Sequence, residues 1–137
     1  MFTSVSTRAT SAYKRVAVET SVQGADAHHL VGLLFDALVQ SLHEARGGIE
    51  RGEIETKGMA LGKAVRILEE GLKAGLNRRE GGELANNLHH LYDYSIQRLT
   101  LANLRNDAAA VAEVVNLMQP LAQSWQHIRG AALAKGV

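Results

Sequence analysis

The chain has 137 residues, a formal net charge of +1, 46% hydrophobic residues and no cysteine. That composition is globular, and one domain is the expectation at this length. It excludes disulfides, thiolate metal sites and cysteine nucleophiles, and the near-neutral balance offers no bulk attraction to nucleic acid.

No apolar run reaches the ~18 residues of a membrane span, so direct membrane insertion is not expected. The start carries no signal-peptide h-region, so secretion by that route is not expected, and the lack of cysteine suits a reducing cytoplasm. Residues 1–25 are rich in Ser and Thr, with Tyr13, Val16 and Val18 as apolar points. Arg8, Lys14 and Arg15 precede the first acid, Glu19. We read this segment as an N-terminal arm with a short helix over 8–19; the alternative for so basic a start is an organelle transit peptide.

Asp26 is a good N-cap, and the first helix is predicted from there to Gly52, a left-handed stop. Its apolar stripe is Val31, Phe35, Leu38, Leu42, Ala45 and Ile49. The second helix is predicted from Glu53 to Leu76, with Ile54, Gly58, Leu61, Val65, Leu68 and Leu72 in line. A glycine-containing turn is expected over 77–82. The third helix, from Glu83 to Arg105, carries Leu84, Leu88, Leu91, Ser95, Arg98 and Ala102, with Leu99 beside the charged position. Asp107 caps the fourth, predicted to Leu133, whose stripe is Val111, Val114, Met118, Leu121, Trp125, Ile128 and Ala132. Apolar residues recurring at 4,3 spacing share one helix face. Short connections make neighbours antiparallel, so the expected fold is an all-α, up-down-up-down four-helix bundle over 26–137. Pro120 is expected to kink the last helix. Gly58 and Gly62, four apart, would let another backbone approach, inside the bundle or at a partner.

Two helices carry more apolar surface than one core needs. On the third, apolar side chains spread over an arc of roughly 220°, from Leu101 and Tyr94 round to Ile96, when projected at the helical angle. On the first, Leu30, Leu33, Leu34, Phe35, Ala37, Leu38 and Val39 leave only Gly32, Asp36 and Gln40 polar. Three covers fit: the arm, a homodimer face, or an amphipathic helix from another protein.

Catalytic signatures are missing: no phosphate-binding glycine loop, HExxH motif or nucleophile elbow. Neither an enzyme nor a cofactor is expected. Adjacent histidines at 28–29 and 89–90 diverge around a helix; His89 and Asp93 share a face but lack a third ligand, so no metal site is expected. His43-Glu44-Ala45-Arg46-Gly47-Gly48 resembles the His-x-x-Lys-Gly run of histidine phosphotransfer domains, also four-helix bundles, which leaves phosphotransfer on His43 as an alternative function.

Several blocks, in order, resemble the FliS family of flagellar export chaperones, which bind flagellin. They are Ala12-Tyr13 with Val18 and Thr20; Leu30 to Ala37, similar to a Leu-x-x-x-Leu-Tyr-Asp-Gly block; Gly81 to Leu88; Leu91-Tyr92-Asp93-Tyr94; Arg98-Leu99 with Ala102-Asn103; and Trp125. Asp26-Ala27 stands where the family commonly has Ser-Pro, Phe35 replaces a Tyr, and Ser95 stands where Met is usual. The resemblance implies a cytoplasmic, non-enzymatic chaperone. It would hold the disordered C-terminal segment of flagellin as helices and escort it to a membrane protein of the flagellar export gate. On that reading Leu30, Leu34, Ala37, Tyr94 and Leu101 form the cargo surface, and Tyr13 lies near it or meets the export gate.

Overall fold

A computed structural model describes residues 27–134, with side chains as far as Ile128. The predicted arm and the Asp26 cap lie outside the described residues. Four helices follow in order: α1 (Ala27–Arg51), α2 (Ile54–Arg66), α3 (Arg78–Arg105) and α4 (Ala108–Ala134). A π-helical segment, Ile67–Lys73, prolongs α2. There is no strand among the described residues, and the fold is the expected all-α four-helix bundle.

The turns are built by residues suited to them. Gly52 has φ +68° and ends α1, with its amide on the Ile49 carbonyl at 3.2 Å and the Glu53 amide on that of Gly48 at 2.8 Å. These are the paired bonds of a Schellman stop, which satisfy carbonyls that the helix end would leave open. Asn106 ends α3 in the same left-handed region, at φ 53° and ψ 46°. Asp107 caps α4 by accepting the Ala110 amide at Oδ1, 3.2 Å away. The α2–α3 connection differs from expectation. Asn77 caps a first turn, accepting the Glu80 amide at 3.1 Å, so α3 begins at Arg78. Gly82, at φ 56° and ψ −133°, kinks it, and the regular helix resumes at Glu83, where the sequence pattern begins.

The helices form a ring in which α1 packs on α2 and α4, and α3 on α4, α2 and the π-helical segment; α1 and α3 sit at diagonal corners. Being flanked on two sides explains the wide apolar face of α1: Leu34, Phe35, Ala37, Leu38, Leu42 and Ala45 are all buried. The excess that the sequence suggested for α1 is therefore largely taken up inside the bundle. On α2 the stripe shifts. Ile54 is 77% exposed, and the buried line is Lys57, Ala60, Leu61 and Ala64, continued by Ile67, Leu68 and Leu72. Pro120 is exposed within α4, which runs on to Ala134. Asn116, whose carbonyl loses its helical donor to Pro120, is exposed too.

Among the described residues, Lys57 is the buried charge. Its ammonium donates to the Asn103 carbonyl at 3.1 Å and to Asn106 Oδ1 at 2.7 Å, joining the start of α2 to the end of α3. A cation at a helix C-terminus also meets the negative end of the helix dipole. Gly48 permits the approach on the other side, since a Cβ there would lie 2.8 Å from the Lys57 backbone nitrogen. A Cβ at Gly58 or Gly62, by contrast, would meet nothing within 4 Å, so no backbone packs on them among the described residues. Ser95 is fully buried, with its hydroxyl unpaired.

Gly48→Ala should destabilise the chain by about 1–3 kcal/mol through overpacking, whereas Gly62→Ala should stabilise it by about 0.5–1 kcal/mol through helix propensity. Urea midpoints moving in opposite directions would bear this out. Ser95→Ala, which removes a buried unpaired hydroxyl, should raise stability by about 1 kcal/mol in the same assay.

Candidate partner-binding surface

Trp125 of α4 sits in a notch of α1 whose walls are His28 and Phe35. The His28 ring stacks on the indole at 4.4 Å and 13°, and Phe35 lies tilted at 6.2 Å. Gly32 lies between them in sequence, and a Cβ there would sit 3.5 Å from the indole edge, an ordinary contact. The indole N–H donates to the His28 carbonyl at 2.9 Å, which satisfies the indole donor and ties α4 to the first turn of α1. This joint locks α4 onto α1 and borders a cavity of about 300 Å³ lined by His28, His29, Gly32, Leu33, Asp36, Trp125 and Gln126.

A second face lies across the bundle, where α3 meets α4. Tyr94 Oη donates to Glu113 Oε2 at 2.5 Å, and Arg98 Nε donates to Glu113 Oε1 at 2.7 Å. The Tyr94 hydroxyl bond, followed by that of Arg98, holds the Glu113 carboxyl below its ordinary value; the same bond to Glu113 pushes the Tyr94 phenol up. Beside Tyr94 in sequence, Asp93 accepts from Lys73 Nζ at 2.6 Å, which lowers the Asp93 carboxyl and raises the Lys73 ammonium.

The residues expected to meet a partner divide between these faces. Leu30 is half-buried on α1, Leu101 half-buried on α3, and Tyr94 on the same helix is 42% exposed. Leu34 and Ala37 lie in the hydrophobic core at 1% and 6% exposure, Leu34 packed against Gly71 of the π-helical segment. Tyr13 lies outside the described residues. Since α1 and α3 are diagonal, Leu30 does not share a groove with Tyr94 and Leu101. His43 is exposed on α1, and Arg46 pairs with Glu50 at 3.6 Å. His89 Nδ1 is 3.5 Å from Asp93 Oδ2 yet buried without a hydrogen-bond partner, the separation being too long for a good bond. No group of three metal-ligating side chains occurs among the described residues.

Sequence reasoning missed how far the exposed apolar points scatter. Ile54, Met59, Leu84, Leu104 and Ile128 are all exposed. Ile54, Leu84 and Ile128 belong to the stripes but lie toward helix ends, beyond their neighbours' reach. Met59 and Leu104 fall off the stripes, and that departure was the available signal.

The family profile described as "Flagellar protein FliS" matches residues 9–132. The chain belongs to the FliS family. It is 49% identical to the flagellar secretion chaperone FliS of Salmonella typhimurium over 85% of this chain and 87% of that one. It is 40% identical to the flagellar secretion chaperone FliSB of Pseudomonas aeruginosa over 88% and 95%, respectively. The FliS of Bacillus subtilis, also a flagellar secretion chaperone, matches at 31% over 85% and 82%. As a FliS-family member the chain is a chaperone and not an enzyme. No helix among the described residues is long and apolar enough to cross a membrane.

The depressed Glu113 carboxyl stabilises the fold above its ordinary value of 4.5, and this contribution is lost as pH falls through the lower, folded-state value. Glu113→Gln should flatten the acid limb of a stability profile taken by urea unfolding. The raised Tyr94 phenol acts in the opposite sense: its contribution is present below the ordinary 10.0 and lost as pH rises through the folded value. A late phenolate absorbance step missing from Tyr94→Phe checks it.

Proposed function

We propose that this FliS-family chain is a cytoplasmic export chaperone for flagellin. It holds the disordered C-terminal segment of flagellin as helices on its apolar faces, which keeps that segment from premature polymerisation. It then delivers its cargo to a membrane protein of the flagellar export gate, with Tyr13 near the cargo surface or at the gate. The observation that carries this reading is the apolar surface left over once the bundle has closed, at Leu30 on α1 and at Tyr94 and Leu101 on α3, in a chain of this family.

The physics suits a wrapped cargo. Leu30 and the Tyr94–Leu101 face lie on diagonal helices, so one short helix does not cover both. A long segment folding around the bundle reaches each in turn and loses its chain entropy on binding. Affinity comes from a broad apolar contact rather than a few polar bonds, which favours later release. Leu34 and Ala37 then act beneath the contact by fixing the shape of α1, and the surface itself is carried by the half-exposed residues.

Calorimetric titration with a peptide of the last ~50 residues of the same cell's flagellin tests this, a length suited to folding on binding. Saturable one-to-one binding with a negative heat-capacity change and a gain of helical signal is expected. Leu101→Glu should weaken it at least tenfold, through burial of an unpaired charge. A folded chain that binds no peptide would remove the chaperone reading; phosphate on His43 or a stable homodimer would then become the reading to test.

A further inference from the structure

The cavity beside Trp125 has a chemical character unlike the apolar faces. At about 300 Å³ it is at the small end of ligand pockets, sized for one long side chain rather than a second helix. Among the described residues neither lysine nor arginine lines it, and the one formal charge there is the Asp36 carboxylate. Asp36 is exposed, and among the described residues its carboxylate meets Gln126 Nε2 at a long 3.4 Å. His28 forms another wall, its ring stacked on the indole. The indole N–H is already committed to the His28 carbonyl, so Trp125 contributes ring surface.

The site thus offers a carboxylate and stacked aromatic rings. One side chain answers both. A guanidinium has five donors in a planar fork, pairs with carboxylates through charge-assisted bonds and stacks on aromatic faces. A lysine ammonium supplies the charge without the plane. We infer that this pocket seats an arginine side chain of the bound helix, its guanidinium paired with Asp36 and lying against the His28–Trp125 stack. This rests on the cargo-binding reading and adds to it a polar anchor that sets the register of a segment otherwise held by apolar contact.

The test titrates the full chain with the flagellin C-terminal peptide, using wild type and Asp36→Asn, and peptides whose arginines are replaced singly by citrulline, the neutral analogue. Asp36 is exposed, so the variant should keep its helical signal. Asp36→Asn should weaken binding roughly tenfold, the scale of one hydrogen bond to a charged group. One citrulline peptide should lose the same factor against wild type and nothing further against Asp36→Asn. Wild-type binding that Asp36→Asn leaves within twofold would overturn the pocket while the chaperone reading stands, and so would affinity unmoved by every citrulline. Tighter binding by Asp36→Asn would overturn it as well, because the carboxylate would then serve a basic group of the chain itself. If wild type binds no peptide, the chaperone reading fails by itself, and the pocket is judged by the fluorescence of Trp125, the chain's one tryptophan. Saturable change with N-acetylarginine amide, absent with the citrulline amide and in Asp36→Asn, supports the pocket; no change overturns it.

Discussion

A missing methyl group sets the spacing of the bundle at one end. Because Gly48 has no Cβ, the backbone at Lys57 lies directly against α1. From that position the Lys57 ammonium reaches the last turn of α3 and binds the Asn103 carbonyl and the Asn106 side chain. Asn106 serves twice, as the left-handed residue that ends α3 and as an acceptor for that ammonium. A buried charge left without partners would be costly, so both acceptors matter to this end of the bundle. Three helices are fixed there, and the hydrophobic line from Ala60 to Leu72 is carried into the core as a result.

The opposite end is fixed by an aromatic joint. Trp125 reaches across to α1 and is held by stacking and by one hydrogen bond to the first turn of that helix. The two joints are of different kinds: one is polar and buried, the other aromatic and half-open to the cavity beside it. Between them the helices pack by ordinary apolar contact, from Leu38 and Leu42 on α1 to Val111, Val114 and Met118 on α4. The surfaces offered to a partner are what remains outside this frame.

The fold was legible because helix periodicity and turn chemistry agreed. Gly52 and Asp107 both act as their residue types suggest, and the stripe of α1 is buried from Phe35 to Ala45 and that of α4 from Val111 to Met118. The stripe of α2 misled because 4,3 spacing fixes a face without saying which neighbour covers it. Lys57 was passed over as a core residue since its burial depends on two oxygens far along the chain. The first turn of α3 was hidden by Gly81 and Gly82, which read as loop although Asn77 supplies the cap. At the candidate surface, Tyr94 and Leu101 could be read from the breadth of the apolar arc. Leu34 and Ala37 could not be told from core, because the α1 surplus depends on how many helices flank it. The cavity at Asp36 was illegible for a related reason: it needs Gln126 and Trp125 from the other end of the chain.

The scattered exposed residues also bear on how the free protein behaves in solution. Ile54, Met59, Leu84, Leu104 and Ile128 present apolar tips on several sides, and the formal net charge is only +1. Two copies therefore meet with almost no long-range repulsion, and colloidal stability falls to the short-range hydration of the surface. Anything that covers those tips makes the particle more soluble as well as more ordered.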